Sequence, residues 1–99
     1  MNYKKSYCFD DVLLVPQMSE INSRSEINLS AYLDKSLYFG LPIISSPMDT
    51  VTGSEMITGM SRNGGLGIAH RYNTIADQAK MIKDSLSKGS ATAAGAVGV

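Results

Sequence analysis

Three short apolar runs divide the second half of the chain. They span residues 41–46, 66–69 and 90–99, and each begins or ends at glycine, proline or small polar residues. Continuous apolar runs of this length are typical of strands buried on both faces of a parallel sheet. Pro42 is tolerated at the start of such a strand, and Pro47 ends it. A flexible Gly/Ala linker is the alternative for residues 90–99, and the apolar residues at its end favour a strand.

Two segments with helical spacing separate these runs. In the first, residues 53–63, Thr52 and Glu55 form a capping-box pattern, in which the Thr52 hydroxyl accepts from the Glu55 N–H. In the second, Thr74 and Asp77 form a similar N-terminal pattern. The expected apolar faces are Met56, Ile57 and Met60 in the first helix, and Ile75, Ala79, Ile82 and Leu86 in the second. Gly64 and Gly89 are the expected helix stops. The order β–α–β–α–β predicts parallel strands joined by right-handed crossovers.

The first forty residues follow a different pattern. Residues 1–8 are polar and predict a loose arm, after which Asp10-Asp11 indicates a turn; a metal or acid/base pair is the less favoured alternative. The apolar run 12–15 is expected to pack against the sheet. Residues 27–29 and 37–39 alternate like half-exposed strands, and Asp34-Lys35 between them predicts a hairpin turn.

Composition excludes several classes of function. The 99 residues suffice for one small domain, and the nine basic and nine acidic residues balance without a basic block, which argues against nucleic-acid binding. No apolar run approaches the roughly 20 residues that span a membrane, and no apolar segment follows the basic N-terminus as a secretory signal requires. Cys8 is the single cysteine, so no internal disulfide forms. We expect a soluble cytoplasmic protein.

Polar side chains follow the first two predicted strands. Ser45, Ser46, Met48 and Asp49 come after the first strand, and His70 and Arg71 follow the second. The carboxyl ends of parallel strands are where α/β folds bind their ligands. Serine hydroxyls suit a sugar or phosphate, a methionine thioether suits a flat base, and an arginine fork suits a phosphate. A polar turn after a buried strand, and a structural histidine at a strand end, remain the alternatives.

Four motifs carry a family resemblance. They are Phe-Asp-Asp-Val-Leu-Leu-Val-Pro at 9–16, Ser-Ser-Pro-Met-Asp-Thr-Val-Thr at 45–52, Gly-Gly-Leu-Gly-Ile-Ala-His-Arg at 64–71 and Gly-Ala-Val-Gly-Val at 95–99. Together, and in this order, they resemble the IMP dehydrogenase/GMP reductase family. The resemblance implies an α/β fold, the N-terminal portion of a (β/α)8 TIM barrel. Residues 1–40 would be an arm with accessory strands across one end, and residues 41–99 the first three barrel strands. Because such a barrel needs roughly 200 to 250 residues, we expect a partial barrel.

The resemblance also implies roles for individual residues. Ser46 and Met48 match positions that contact the purine nucleotide, GMP or IMP, and Asp49 is expected to support their loop. The family's cysteine nucleophile, which bonds to purine C2 while hydride is exchanged with a nicotinamide cofactor, lies beyond this chain. The chain therefore holds no catalytic residue, and Cys8 is interpreted as incidental. The family's monovalent-cation loop also lies outside it, and we expect no metal ligands here.

Three features narrowly favour GMP reductase, which converts GMP to IMP and ammonia with NADPH. Ser23 and Arg24 resemble the Ser-Arg pair with which that enzyme reaches NADPH from a neighbouring subunit. Arg71 resembles a second basic residue of that enzyme, which also approaches the cofactor. The third is that no regulatory CBS insert separates the second helix from the third strand. IMP dehydrogenase, converting IMP to XMP with NAD, is the alternative, and a non-catalytic nucleotide-binding or docking fragment is a third. The resemblance implies a homotetramer for the complete enzyme.

Overall fold

A computed structural model describes residues 3–99, so residues 1 and 2 of the predicted arm lie outside the described residues. The strands are β1 (Ala31–Tyr32), β2 (Tyr38–Phe39), β3 (Ile44–Ser45), β4 (Leu66–Ala69) and β5 (Ala94–Gly95). The helices are α1 (Ser54–Arg62) and α2 (Ile75–Ser87), and two 3₁₀ turns, Phe9–Asp11 and Arg24–Glu26, precede them. The protein is therefore α/β. None of the helices between residues 3 and 99 has the length and apolar content to cross a membrane.

The second half of the chain forms a parallel sheet, as its pattern predicts. The strand order is β3-β4-β5, and both pairings are parallel, with Ser45 opposite Gly67 and Ala69 opposite Gly95. β4 has the predicted bounds, whereas β3 and β5 are each only two residues long. Since all three strands run in one direction, their carboxyl ends meet at one edge of the sheet.

α1 covers one face of this sheet. Its Ile57 is fully buried and lies over Gly67 of β4, so close that a Cβ at position 67 would stand 2.5 Å from the Ile57 Cα. The helix ends at Arg62, and Gly64, the predicted stop, follows two residues later with a φ of 83°, a left-handed conformation that favours glycine. The small residue in β4 therefore sets how closely helix and sheet approach.

α2 has the predicted ends but a different packed face. The Thr74 hydroxyl accepts from the Asp77 N–H at 3.1 Å, and Gly89 follows the helix with φ 90°. The predicted apolar face is right at Ile82, which is half-buried, and wrong at Ile75 and Leu86, which are 92% and 49% exposed. The helix instead turns Gln78, Ile82 and the fully buried Ser85 inward. Because Gly95 has no side chain, α2 approaches β5 closely at this point. The Gln78 amide there donates to the His70 and Ala96 carbonyls. These contacts, more than the apolar spacing, decide which face of α2 packs on the sheet.

An antiparallel hairpin precedes the sheet. β2 lies where the sequence predicts a strand, but its partner β1 is Ala31–Tyr32, so the expected strand at 27–29 is wrong. The turn at Asp34 is confirmed: its carboxylate accepts from the Ser36 N–H, the Ser36 hydroxyl and the Leu37 N–H. These bonds, the Ser36 N–H first, lower the pKa of Asp34. A small cavity of about 70 Å³ between the hairpin, Pro42 and Ile44 places the hairpin beside the start of β3.

The N-terminal segment lies away from the packed core. Every residue from 3 to 29 is exposed, and the radius of gyration, 17.8 Å, exceeds the roughly 13 Å of a compact chain of this length. The expected packing of residues 12–15 against the sheet is therefore wrong, with Leu13 95% and Leu14 98% exposed. Asp11 instead closes a local turn, accepting from the Cys8 N–H at 2.9 Å.

Candidate functional site at the carboxyl edge of the sheet

Thr52 organises the loop that follows β3. Its side chain is fully buried, and its hydroxyl donates to the Ser46 carbonyl at 2.5 Å and lies 2.9 Å from the Ser45 hydroxyl. The predicted capping role of Thr52 is wrong: the N-cap of α1 is Gly53, and no side chain caps it. The hydroxyl turns back to the strand end because the buried Ser45 hydroxyl has no other hydrogen-bond partner there, and the Ser46 carbonyl accepts a second bond beside that from the Met48 N–H.

We expect Thr52→Val to destabilise the protein by about 1–3 kcal/mol, because it leaves the buried Ser45 hydroxyl without its partner and removes one of the two donors to the Ser46 carbonyl. Thr50→Val is the matched control, since Thr50 is exposed on the same loop and should change stability by less than about 0.5 kcal/mol. Chemical denaturation of the full-length gene product measures both. Equal stabilities of the two variants would show that the Thr52 hydroxyl does not hold the loop.

The loop presents the two predicted nucleotide-binding side chains to solvent. Ser46 is exposed and Met48 is 50% exposed. Consecutive turns shape the loop: the Ser46 carbonyl accepts from the Met48 N–H at 2.8 Å, and the Met48 carbonyl accepts from Thr52. Asp49 accepts from the adjacent Thr50 N–H at 2.9 Å. An accessible hydroxyl and an accessible thioether therefore stand on a loop held from below by Thr52.

Arg71 lies at the end of the neighbouring strand. Its guanidinium carbon is 5.3 Å from the centroid of the Tyr72 ring, within cation–π range. Its Nη1 lies so close to the segment after β5 that a Cβ at Gly98 would meet it at 3.0 Å. Arg71, Asn73, Gln78 and Gly98 are among the residues lining a cavity of about 180 Å³ here. The sheet thus brings Arg71 to the same edge as the Ser46 loop.

Gln78 is a residue that the sequence reasoning missed. Its side-chain amide donates to the His70 carbonyl at 3.1 Å and to the Ala96 carbonyl at 2.8 Å. It lies three residues after Ile75 and four before Ile82, beside the predicted apolar face, but no motif marks it, so only the three-dimensional contact reveals its role. Two further polar atoms nearby, His70 Nδ1 and Asn73 Nδ2, are buried without a hydrogen-bond partner.

Ser23 and Arg24 lie apart from this edge in the exposed N-terminal segment. The Ser23 hydroxyl accepts from the Ser25 N–H at 3.3 Å and pairs with the Ser25 hydroxyl, so it starts the short 3₁₀ turn that carries Arg24. The hydrogen bonds of this turn are local. The structure therefore leaves the Arg24 side chain free to meet another surface.

An open groove of about 650 Å³ lies between the loop after β3 and the first turns of α1. Of the predicted site residues only Asp49 lines it, beside Thr50, Glu55 and Met56. Arg71 lines the cavity of about 180 Å³ instead, and Ser46 and Met48 lie on the exposed surface of the loop. Within residues 3–99, no three histidine, cysteine or acidic side chains cluster as a metal site would require, and Cys8 is an exposed free thiol.

The chain is an α/β protein whose polar groups collect at the carboxyl edge of its parallel strands, the place where such folds bind small ligands. A family model described as the IMP dehydrogenase / GMP reductase domain matches residues 6–94. The chain belongs to this family, and the family resemblance is confirmed; the match contains the first three motifs, and the fourth, at 95–99, follows it.

Both IMP dehydrogenases and GMP reductases are similar to the chain. It is 46% identical over 82 residues to inosine-5'-monophosphate dehydrogenase of Nitrosopumilus maritimus, covering 83% of this chain and 17% of that protein. It is 41% identical over 75 residues to GMP reductase of Leishmania donovani, covering 76% of this chain and 15% of that protein. The crystal structure of GMP reductase from Trypanosoma brucei in complex with guanosine 5'-triphosphate is similar at a TM-score of 0.71 and 42% identity, over 74% of this chain and 17% of that one. The chain thus spans less than a fifth of the length of these relatives.

Proposed function

We propose that this chain is the N-terminal portion of the (β/α)8 barrel of a purine nucleotide oxidoreductase that uses a nicotinamide cofactor. Residues 1–40 form the arm and accessory hairpin, and residues 41–99 contribute the first three barrel strands. The parallel order β3-β4-β5 with helices on one face supports this proposal, since barrels of this kind repeat that unit and bind ligands at the carboxyl edge.

The loop after β3 binds the purine nucleotide in this proposal. The exposed Ser46 hydroxyl offers a hydrogen bond to the sugar or phosphate, and half-exposed Met48 offers an adaptable apolar wall for the base. Thr52 holds both side chains in place through the Ser46 carbonyl. The reacting cysteine belongs to a part of the enzyme beyond this chain, so these residues bind and orient the nucleotide.

The position of Arg71 is the observation that carries the choice of reaction. Its guanidinium borders the cavity at the edge, where a fork of donors fits a phosphate group. The residues fit a cofactor that carries one phosphate more than NAD, which favours NADPH and hence GMP reductase. Ser23 and Arg24, exposed on the arm, would supply the second basic contact from a neighbouring subunit of a homotetramer. The cofactor supplies the hydride, and the chain's residues hold its phosphate end.

IMP dehydrogenase, acting on IMP with NAD, is the second candidate. The high identity to the Nitrosopumilus maritimus dehydrogenase favours it, as does the Ser-Ser-Pro-Met-Asp sequence at 45–49. The third candidate is a non-catalytic fragment that docks onto a partner, which the exposed apolar side chains of Leu13, Leu14 and Val97 favour.

Nicotinamide absorbance of the full-length gene product tests the proposal. We expect oxidation of NADPH in the presence of GMP and no reduction of NAD in the presence of IMP. GMP with NADH serves as the cofactor control, and IMP with NADPH as the negative control, in which no oxidation is expected. Reduction of NAD with IMP alone would establish the dehydrogenase instead, and no change in any mixture would favour the non-catalytic fragment.

A further inference from the structure

We infer that Gln78 is a positioning residue, whose side-chain amide holds the carboxyl ends of β4 and β5 together and so fixes where the Arg71 guanidinium lies. The inference deepens the proposed function and rests on it where it concerns the cofactor. It rests on hydrogen bonds and close approaches within the described residues.

A single nitrogen makes both bonds. Nε2 of Gln78 carries two protons, and it donates one to the His70 carbonyl at 3.1 Å and one to the Ala96 carbonyl at 2.8 Å. His70 directly follows β4, and Ala96 directly follows β5. The ladder between these two strands ends at this point, where the Ala69 carbonyl accepts from the Ala96 N–H. Gln78 therefore continues the connection between the strands beyond the last backbone bond.

Gln78 is held in place on both sides, by the start of α2 and by β5. Gln78 lies in the first turn of α2, whose start is fixed by the Thr74 hydroxyl accepting from Asp77. On the sheet side, a Cβ at Gly95 would stand 3.0 Å from Gln78 Oε1 and 3.2 Å from the Ile82 side chain. The side chain is thus packed between helix and strand, and both of its hydrogen bonds are partly buried. Water therefore replaces them poorly if they are lost.

The segments that follow β4 and β5, on either side of the Arg71 guanidinium, both depend on this amide. Arg71 follows His70, and Gly98 lies two residues after Ala96, so the two bonds of Gln78 set the distance between these segments. That distance is small: the Cβ position of Gly98 lies 3.0 Å from Nη1 of Arg71. Arg71, Gln78 and Gly98 border the same cavity of about 180 Å³. Without the amide, the guanidinium would retain its charge and lose its fixed place.

Gln78→Met in the full-length gene product removes both donors and keeps the length of the side chain. We expect kcat/KM for NADPH to fall about tenfold, with the KM for the nucleotide unchanged. Gln17→Met is the matched control, because the Gln17 amide bonds only locally, to the Val15 carbonyl at 3.3 Å on the exposed arm. In an Arg71→Ala background, Gln78→Met should lower kcat/KM by less than about twofold further, since it acts through Arg71.

Trypsin cleavage after Arg71 measures the position of this segment without reference to activity. We expect Gln78→Met to accelerate cleavage of the folded protein at this bond about tenfold, and to leave cleavage after Lys83 on the exposed side of α2 unchanged. Unchanged cleavage after Arg71 would overturn the inference. An enzyme inactive with both nucleotides would refute the proposed function, while the cleavage rates would still decide the role of Gln78.

Gly98→Ala is a second variant that does not remove the amide. The added Cβ meets only the flexible tip of Arg71, so we expect normal folding, a displaced guanidinium and a severalfold lower kcat/KM for NADPH. If Gln78→Met does not fold, the Gly98 variant decides. A normal NADPH preference together with normal cleavage after Arg71 in Gly98→Ala would show that the guanidinium is not fixed against Gly98. That result would overturn the inference that Gln78 fixes it there.

Discussion

Gly67→Ala is expected to destabilise the protein by about 3 kcal/mol or more. This is the largest change in stability that we expect from any substitution. The added Cβ would stand 2.5 Å from the Cα of Ile57 and 3.0 Å from its Cγ1. Because the first of these atoms belongs to the backbone of α1, no rotamer change relieves the overlap. The helix must move off the sheet, and Ile57, which is fully buried, would lose its packing.

Gly59→Ala is the matched control in the same helix. Nothing lies within 4 Å of a Cβ at Gly59, so the substitution should stabilise α1 by about 0.5–1 kcal/mol through helix propensity. Denaturant midpoints of the full-length gene product, or its soluble yield if Gly67→Ala fails to fold, measure the pair. If both variants were as stable as the wild type, α1 would not pack on β4 as closely as described.

Arg71→Ala should produce the largest functional effect. We expect kcat/KM for NADPH to fall about 10- to 100-fold, the loss of one charge-assisted bidentate contact to a phosphate. The value for NADH should fall less than about threefold, because NADH lacks that phosphate. Arg71→Lys should give an intermediate value, since a lysine retains the charge and loses the planar fork. Initial rates with both cofactors measure the ratio.

Arg24→Ala should shift cofactor preference in the same direction in the assembled enzyme, because Arg24 would reach the cofactor from a neighbouring subunit. Lys83→Ala, on the exposed side of α2, is the control and should leave both rates unchanged. Equal losses with NADPH and NADH in the arginine variants would contradict the assignment of a 2′-phosphate contact. IMP dehydrogenase would then be the better candidate.

Local chemistry accounts for the elements that the sequence predicted correctly. β4 follows from a short apolar run after a pair of glycines. α2 begins after its cap Thr74 and ends before Gly89, because the cap and the left-handed glycine act within a few residues. The turn at Asp34 is equally local. The predicted sites at Ser46, Met48 and Arg71 came from strand order and family motifs, and their roles remain predictions.

The sequence by itself determined the order of strands and helices, the parallel sheet and the edge where polar side chains collect, because periodicity and capping depend on near neighbours. The tertiary structure alone decided which side of α2 packs, that Thr52 bonds backwards to the Ser46 carbonyl, and that Gln78 joins two strand ends. It also decided that residues 12–15 stay exposed. These outcomes depend on which distant groups need a hydrogen-bond partner or an apolar surface, and such partners are fixed only when the chain has folded.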